Sequence, residues 1–359
     1  MGRDSGHRDS GLSLEFRHIA HAYGEVQALR DIDLAAPGGE ITCLLGSSGC
    51  GKSTLLGLAA GLLPVQRGSI LLNDEVLADE RIAPPPEKRP VGLVFQEGAL
   101  FPHMDVRRNI AFGLPKVRHG EIEAWLDRVG LAGLGSRYPH QLSGGQQQRA
   151  ALARAMAPGP DVLLMDEPFA SVDIVLRRRL RRDCRMLLKE RGATTILVTH
   201  DPAEALDIGD RIAVMEAGRI VQFGSPEELH AAPRAASVGA MFSGAQVVPA
   251  ERQGDMLATV FGDWPTSCML GAVPDAARLD LLVHARALDL VPDPKGLAVR
   301  DVHGLGNGTV RVLLREEGGR DLAIEAVEAP EPGERLRVVP HAGSVRAFAA
   351  DQHGGARDN

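Results

Sequence analysis

The chain has 359 residues, of which 44% are hydrophobic and 24% are charged, and its formal net charge at pH 7 is -7. This length predicts about two domains and is sufficient to bury a hydrophobic core. The mildly acidic balance argues against the global basic field that attracts nucleic acids.

Cysteine spacing and hydropathy exclude further classes of protein. The four cysteines are scattered without CxxC spacing, which indicates reduced thiols in a cytosolic protein rather than a disulfide framework or a zinc knuckle. Residues 1–13 are polar and lack the apolar segment of a secretory signal. The most apolar stretch, residues 55–65, is interrupted by Gly61 and Pro64, and a membrane span needs about 20 residues. If the protein moves a solute across a membrane, we expect another chain to supply the channel.

The first part of the chain predicts a strand, a glycine-rich loop and a helix in succession. Residues 14–35 alternate apolar and polar side chains around Gly24, which predicts two strands joined by a turn. Residues 40–45 form an apolar run that predicts a buried strand, and a helix is predicted over residues 53–63. A glycine cluster between a strand and a helix is the context in which a phosphate-binding motif is meaningful.

That glycine cluster matches the pattern GxxxxGK[ST]. Glycines allow backbone N–H groups to close around phosphate oxygens, and the following helix directs its positive end at the same anion. We expect Lys52 to neutralise the outer phosphates and the Ser53 hydroxyl to reach Mg²⁺. Cys50 is interpreted as a small filler rather than a nucleophile, and the alternative for the whole motif is a glycine-rich turn. The predicted nucleotide contacts in this segment are Gly46, Ser47, Ser48, Gly49, Cys50, Gly51, Lys52, Ser53 and Thr54.

Strands and helices alternate in the following region. Residues 161–165 and 195–199 are apolar strand candidates, and each follows a plausible helix, at residues 146–157 and 174–191. This alternation predicts a mainly parallel α/β sheet. Residues 97–157 lack a strong strand signal, which predicts a helical subdomain inserted in the sheet domain.

Polar groups follow two of these strands directly. Asp166 and Glu167 end the first, and successive strand side chains face opposite ways. We therefore predict that Asp166 binds Mg²⁺ through water and that Glu167 is the general base for the attacking water. His200 ends the second strand at the sheet edge where ligands collect, which predicts a contact with the γ-phosphate. The alternatives are a solvated strand end and a structural histidine.

The pattern changes after about residue 242. Short β-like runs separated by Gly, Pro and Asp clusters predict a small all-β domain. We divide the chain into domains at 1–240 and 241–359, and the polar residues from 351 are expected to fray. The predicted strands are residues 279–284, 309–314, 321–327, 335–339 and 345–349.

Two further features favour simple structural explanations. The basic run at residues 176–182 has leucines at helical spacing, which favours a solvated helix face over a nucleic-acid site. His18 and His21 lie in the predicted strand–turn region and are interpreted as surface residues rather than metal ligands.

The motifs of this sequence together resemble those of the ATPases of ABC transporters. Residues 142–149, Leu-Ser-Gly-Gly-Gln-Gln-Gln-Arg, are similar to the signature motif of that family, and the phosphate loop, signature, acidic strand and histidine occur in the family's order. Tyr23 resembles the aromatic residue that stacks on adenine, Gln96 the Q-loop glutamine and Asp173 the D-loop aspartate. The resemblance covers roughly residues 14–230 and implies an ABC-type P-loop NTPase cassette that binds ATP and Mg²⁺. It implies nucleotide contacts by Ser143, Gly144, Gly145, Gln146, Asp173 and Tyr23, and a catalytic and metal-contacting role for Gln96.

The same resemblance implies a homodimer. Ser143, Gly144 and Gly145 begin a predicted helix, whose N–H groups and positive end are suited to phosphate. The family arrangement implies that this helix start covers the ATP held by a second copy, so that two chains enclose two nucleotides head to tail. The alternative is a serine-capped helix start with a glycine hinge. One departure lies in the D-loop, where Val172 replaces the usual leucine while Asp173 is retained.

Two segments favour an importer among the members of this family. Residues 96–104 resemble the Q-loop region that, in solute importers, lines the groove for a coupling helix of the membrane partner, and Phe101, Pro102 and Met104 offer it an apolar surface. The β-rich part from residue 245 resembles the regulatory (TOBE-like) extension of those importers. Residues 95–98 and 136–140 look most like ferric-ion importers, with polyamine, sulfate, sugar or phosphonate uptake as alternatives.

This predicts the motor subunit of an import complex, peripheral on the cytoplasmic face of the inner membrane. Its implied partners are a second copy, transmembrane permease subunits and, indirectly, a solute-binding protein, but no nucleic acid. Two other classes are weighed against it. A soluble ABC ATPase acting on DNA or ribosomes usually has two fused cassettes or a long coiled-coil insertion, and the chain shows neither. An inactive regulatory cassette would not be expected to retain Lys52, Asp166, Glu167 and His200.

Overall fold

The computed structural model describes residues 13–95, 100–170, 174–316 and 318–350. The chain divides into two compact units between Pro226 and Glu227, upstream of the predicted domain boundary at residue 240. Residues just after the division belong to the second unit, because Arg346 donates a hydrogen bond to the carbonyl of Ala231 at 3.1 Å. The predicted frayed tail from residue 351 lies outside the described residues.

The first unit contains a mainly parallel sheet and a separate antiparallel sheet. Strands β3, β6, β7, β8 and β9 pair in parallel, and β10 pairs antiparallel with β9 at one edge, in the order β10-β9-β3-β8-β7-β6. The predicted mainly parallel α/β sheet is therefore confirmed. The strands of this unit are β1 (Leu14–Tyr23), β2 (Val26–Ala36), β3 (Ile41–Leu45), β4 (Arg67–Leu72), β5 (Glu75–Asp79), β6 (Val91–Val94), β7 (Val162–Asp166), β8 (Thr194–Thr199), β9 (Arg211–Glu216) and β10 (Arg219–Gly224).

The central strands β3 and β8 are buried along their whole length, as expected for parallel strands covered on both faces. The antiparallel sheet has the order β2-β1-β4-β5. Its β4–β5 hairpin was missed in the sequence, although the two-residue turn Asn73-Asp74 has φ angles of 53° and 64°, the left-handed backbone that such tight hairpins require.

Helices supply the rest of the first unit. The described residues between β6 and β7 form α2, α3 and α4 with two short 3₁₀ turns, Lys116–Glu121 and Pro139–Gln141. In the part of the chain that the structure describes, no helix combines the length and apolar character of a membrane span. The helices up to residue 208 are α1 (Lys52–Ala60), α2 (Val106–Ala111), α3 (Ile122–Arg128), α4 (Gly144–Met156), α5 (Ile174–Arg191) and α6 (Pro202–Ile208).

The basic run at the start of α5 is only partly a solvated face. Arg178, Arg179 and Arg182 are exposed, as predicted. Arg181 is buried, with its Nη2 atom 2.6 Å from Asp201 and 3.1 Å from Glu204, both carboxylates following β8. Sequence periodicity missed this ion cluster because α5 and α6 contact each other through residues that are distant along the chain.

The same cluster predicts a pH dependence of stability. Burial raises the pKa of the Glu204 carboxyl from 4.5 to about 7, against the lowering effect of the adjacent Arg181 charge. Between these two values the folded state retains a proton that the unfolded chain releases, so stability is greatest below the lower value and is lost as the pH rises through the upper one. We expect a loss of roughly 2 kcal/mol between about pH 5 and about pH 8.

Denaturant unfolding across this pH range measures the effect. The substitution Glu204→Gln should flatten the pH dependence because it removes the titrating group, while Glu123→Gln, at an exposed position on α3, should leave it intact. An unchanged slope in Glu204→Gln would assign the pH dependence to other groups.

The second unit is built from two small helices and two antiparallel sheets. The sheets have the orders β13-β12-β11-β14-β19 and β17-β16-β15-β18, and they share one hydrophobic core that contains Trp264. The predicted strands are present, while β11, β12, β13 and the long β15 were not predicted. The elements are α7 (Pro226–Ala231), α8 (Ala236–Ser243), β11 (Gln246–Gln253), β12 (Met256–Thr259), β13 (Gly262–Pro265), β14 (Arg278–Val283), β15 (Leu288–Gly304), β16 (Val310–Arg315), β17 (Asp321–Ala326), β18 (Arg335–Pro340) and β19 (Arg346–Ala349).

Candidate nucleotide-binding site

The loop between β3 and α1 has a backbone that only glycine accommodates at several positions. Gly49 and Gly51 have φ angles of 81° and 106°, in the region that side chains disfavour. A Cβ on Gly46 would lie 2.2 Å from the carbonyl oxygen of Met215, and one on Gly51 would lie 2.6 Å from that of Ala28. The glycines therefore let this loop, residues 46–53, fold tightly against neighbouring backbone.

The start of α1 presents free backbone donors. The N–H of Leu55 donates to the carbonyl of Gly51 at 3.0 Å as the first bond of the helix. The N-cap residue is Gly51, so no side chain caps this helix start. The preceding N–H groups of Lys52, Ser53 and Thr54 have no carbonyl of an earlier turn to bind. Such a helix start, following a glycine loop, suits an anionic ligand.

Lys52 places its charge inside the loop. Its side chain is buried, and its Nζ donates to the carbonyls of Gly46 and Ser47, both at 2.8 Å. Cys50 is also buried, with its Sγ 3.7 Å from this Nζ. The ammonium is therefore held by backbone carbonyls at the centre of the loop, where the sequence predicted phosphate.

Ser53 connects the loop to the end of β7. Its hydroxyl donates to Oδ1 of Asp166 at 3.2 Å. Burial, reinforced by the adjacent Glu167 charge, raises the pKa of Asp166 despite this hydrogen bond. A hydroxyl and a carboxylate side by side are oxygen donors of the kind Mg²⁺ prefers. A cation here would stabilise the ionised form of the half-buried carboxylate. The predicted metal-contacting residues Ser53 and Asp166 thus fit a magnesium ion.

Glu167 has an unusual backbone and a defined partner. Its φ angle is 42°, which is uncommon for a residue with a side chain, and its N–H donates to the carbonyl of Val198 at 3.0 Å. Its Oε2 lies 3.1 Å from Nδ1 of His200. The structure therefore brings together the predicted base and the predicted γ-phosphate contact, a pairing that the sequence reading did not anticipate.

Tyr23 lies at the end of β1, near the same loop. Its ring is half exposed, and its hydroxyl is 3.4 Å from the hydroxyl of Thr54. His21 packs edge-on against this ring, with ring centroids 4.9 Å apart. The prediction that His21 is a surface residue is wrong: it is buried, and burial lowers its pKa. A register irregularity of β1 at His21 interrupts the simple alternation of faces, whereas His18 is exposed as predicted.

The signature residues cap the start of α4. The Ser143 hydroxyl accepts from the N–H of Gln146 at 3.4 Å, and the Gln146 side-chain oxygen accepts from the N–H of Ser143 at 2.9 Å. This reciprocal capping box leaves Ser143 and Gly144 exposed, with Gly145 buried behind them. Among the described residues, the Ser143 and Gln146 side chains each accept from the other residue's backbone N–H and make no contact with the phosphate loop.

Gln96 and Asp173 lie outside the described residues. The β9–β10 turn supports the phosphate loop, because the N–H of Gly218 donates to the carbonyl of Cys50 at 3.1 Å. The sequence reading missed this support, although Ala217-Gly218 between two apolar runs is a turn signal.

Comparison with known proteins identifies the family. A sequence profile described as ABC transporter matches residues 29–170. The chain is 40% identical over 347 residues to the Fe(3+) ions import ATP-binding protein FbpC of Pseudomonas fluorescens, covering 91% of this chain and 95% of that relative. It is also 40% identical over 368 residues to the sulfate/thiosulfate import ATP-binding protein CysA 2 of Chromobacterium violaceum, covering 95% and 97%.

The chain belongs to the ABC transporter family. The predicted assignment to its ATP-binding subunits, and thereby to the ATPases, is confirmed. The fold agrees with a solved ATP-binding cassette of an ABC transporter, MJ1267 in its ADP conformation, at a TM-score of 0.55 and 23% identity over 64% of this chain and 98% of that one. The predicted P-loop cassette fold is thus also confirmed. The two relatives, which are equally identical to this chain, are named for the import of different ions.

Proposed function

We propose that this chain is the ATP-hydrolysing motor subunit of an ABC import complex. The observation that supports it most directly is that the groups of the site are neighbours in space. They are Lys52 in the glycine loop, the Ser53–Asp166 hydrogen bond and the Glu167–His200 contact. These groups provide anion binding, a cation site and a proton acceptor on one edge of one sheet. ATP hydrolysis needs little more than this positioning and charge stabilisation.

Each residue has a distinct role in this proposal. Residues 46–54 bind the phosphates through backbone N–H groups, with Lys52 as the charged contact. Ser53 and Asp166, together with Gln96, would hold Mg²⁺, which when bound supplies positive charge at the outer phosphates. Glu167 accepts the proton of the attacking water, and His200 orients the Glu167 carboxylate and contacts the γ-phosphate.

The exposed start of α4 supports a head-to-tail homodimer. Ser143 and Gly144 are accessible in one chain, and the start of a helix carries partial positive charge. In the proposed dimer these residues, with Gly145, Gln146 and the predicted contact Asp173, complete the nucleotide site of the partner copy. Binding of ATP then joins the two copies, and hydrolysis separates them.

We further propose that the subunit works on the cytoplasmic face of the inner membrane with transmembrane permease subunits and a solute-binding protein. The predicted coupling surface retains apolar character, with Pro102 exposed and Phe101 and Met104 half-buried. The β-rich second unit would be the regulatory extension. Ferric ion is the first candidate cargo, and sulfate or thiosulfate is the second, since relatives named for each are equally identical to this chain.

Reconstitution of the import complex tests both the motor function and the identity of the transported ion. The chain is co-purified with its permease subunits, reconstituted in vesicles and assayed for ATP hydrolysis with a ferric-ion-binding or a sulfate-binding protein. We expect one of these to stimulate hydrolysis and drive uptake of its ion. Stimulation only by a polyamine-binding protein would contradict both cargo assignments, and ATP hydrolysis that never couples to uptake would contradict the motor function.

Tyr23→Ala is expected to weaken ATP binding by about three- to tenfold while hydrolysis at saturating ATP stays near normal, because stacking contributes mostly uniform binding. Tyr23→Phe keeps the ring and loses only the hydroxyl contact with Thr54, so it should bind ATP almost normally. Nucleotide titration and steady-state kinetics measure the two effects. A collapse of the saturated rate with unchanged affinity would contradict the adenine-stacking role.

A further inference from the structure

A cavity lies in the first unit, and residues of the phosphate loop do not line it. It has a volume of about 320 Å³ and lies between the C-terminal part of α5 and the segment that contains the 3₁₀ turn Lys116–Glu121 and α3. Three arginines, two glutamates and one tryptophan give the cavity its chemical character. They are Arg118, Glu121, Trp125, Arg128, Glu190 and Arg191.

Among the described residues, only one of the three arginines forms an ion pair. Arg118 forms a two-pronged pair with Glu121, with both N–O distances at 2.8 Å. Arg128 and Arg191 form no ion pair among the described residues, although Glu190 also lines the cavity. The walls therefore carry two guanidinium groups without a matching carboxylate contact.

These two guanidinium groups converge on one aromatic ring. The Cζ atoms of Arg128 and Arg191 lie 5.5 Å and 4.9 Å from the centroid of the Trp125 indole. Cation–π contact with the ring stabilises each charge, but it also holds two like charges near each other. Burial, followed by the charges of Arg128 and Arg118, lowers the pKa of Arg191 against the opposing effects of Glu121 and Glu190.

Trp125 adds a donor that has no acceptor. Its Nε1 atom is buried and has no hydrogen-bond partner in the described part of the chain, whereas buried indole N–H groups usually have one. Trp264, the other tryptophan, is equally buried but donates to the carbonyl of Val338 at 3.1 Å. The unpaired indole N–H distinguishes Trp125 from Trp264.

We propose that this cavity binds a tetrahedral oxyanion, either free sulfate or phosphate or the phosphate group of a small organic monoester. Guanidinium groups present paired N–H donors that match the oxygens of such anions. The volume lies at the lower end of the range of small-ligand pockets. Because Arg128 is on α3 and Arg191 ends α5, a bound oxyanion would connect these two helices and stabilise their contact.

Calorimetric titration of the full chain tests the proposal. The probes are sodium sulfate, inorganic phosphate and glycerol 3-phosphate, titrated at constant ionic strength with Mg·ADP present to occupy the phosphate loop. We expect saturable binding of at least one probe, weakened by about tenfold or more in Arg128→Gln/Arg191→Gln, because each lost guanidinium removes a charge-assisted contact. The order of affinities distinguishes a free oxyanion from an organic phosphate.

A matched control and an optical signal localise the binding. Arg178→Gln/Arg179→Gln removes two exposed arginines from α5, the helix that ends at Arg191. This variant should bind the probe as the parent chain does. The chain has two tryptophans, so Trp264→Phe leaves Trp125 as the reporter, whose fluorescence should change with the same saturation. If Trp264→Phe does not fold, the calorimetric series alone decides. Absence of saturable binding by all three probes, or equal binding by the cavity double variant, would overturn the proposal whatever the ATPase activity.

Discussion

Replacing Glu167 with glutamine is expected to lower the rate of ATP hydrolysis by about two to four orders of magnitude while nucleotide affinity is retained. Glutamine has the shape of glutamate but accepts no proton from water at neutral pH. The Glu167 carboxylate lies at the end of β7, 3.1 Å from His200 and next to Asp166. Phosphate and metal contacts assigned to residues 46–54 are unchanged by the substitution. The ATP-bound dimer should therefore form and persist.

Three measurements examine this result together. Steady-state hydrolysis reports the rate, nucleotide titration reports affinity, and size-exclusion chromatography with ATP reports the dimer. Glu216→Gln is a matched control, since Glu216 ends β9, another strand of the same sheet, and it should hydrolyse ATP normally. Normal turnover by Glu167→Gln would place the general base elsewhere, and a variant that stays monomeric with ATP would contradict the proposed dimer.

Replacing Lys52 with alanine is expected to weaken nucleotide binding by roughly ten- to a hundredfold, the effect of losing a charge-assisted hydrogen bond of about 1.5–3 kcal/mol. The Lys52 ammonium lies at the centre of the loop and donates to the carbonyls of Gly46 and Ser47. Its removal takes away the charged phosphate contact and also leaves these two carbonyls without their donor. Both affinity and the hydrolysis rate should therefore fall.

Nucleotide titration by calorimetry measures the loss for Lys52→Ala. Lys88→Ala removes an exposed lysine from the same unit and should bind nucleotide normally. The loss of the donor to the loop carbonyls could also destabilise the fold. Thermal unfolding without nucleotide therefore separates a folding defect from a binding defect. Unchanged affinity in a folded Lys52→Ala protein would show that the triphosphate does not reach this loop.

Local sequence patterns were sufficient for much of the architecture. Three of the five parallel strands, β3, β7 and β8, were predicted from their largely apolar runs, whereas β6 and β9 were not predicted. The phosphate loop was predictable because its glycines and lysine are neighbours along the chain. The β4–β5 hairpin was missed although Asn73-Asp74 forms its turn. The long β15 was missed because residues 292–296, Pro-Asp-Pro-Lys-Gly, interrupt its alternation. The roles assigned to Gln96 and Asp173 remain predictions, since both residues lie outside the described part of the chain.

Contacts between distant residues were decided only by the tertiary structure. Ser53 and Asp166 are 113 positions apart, and no periodicity in the sequence indicates that their side chains form a hydrogen bond. Arg181 belongs to a basic run that reads as solvated, yet packing of α5 against α6 buries it among carboxylates. The Glu167–His200 contact likewise depends on two neighbouring strands ending at one edge.

The sequence by itself determined the residue types that we propose for phosphate, metal and proton chemistry, because each motif consists of adjacent residues with one local conformation. Tertiary structure alone decided which motifs meet, which charges are buried, and that Arg128 and Arg191 share the ring of Trp125. The physical reason is that burial and electrostatic pairing depend on distances through space, which become defined only when the helices and strands pack together.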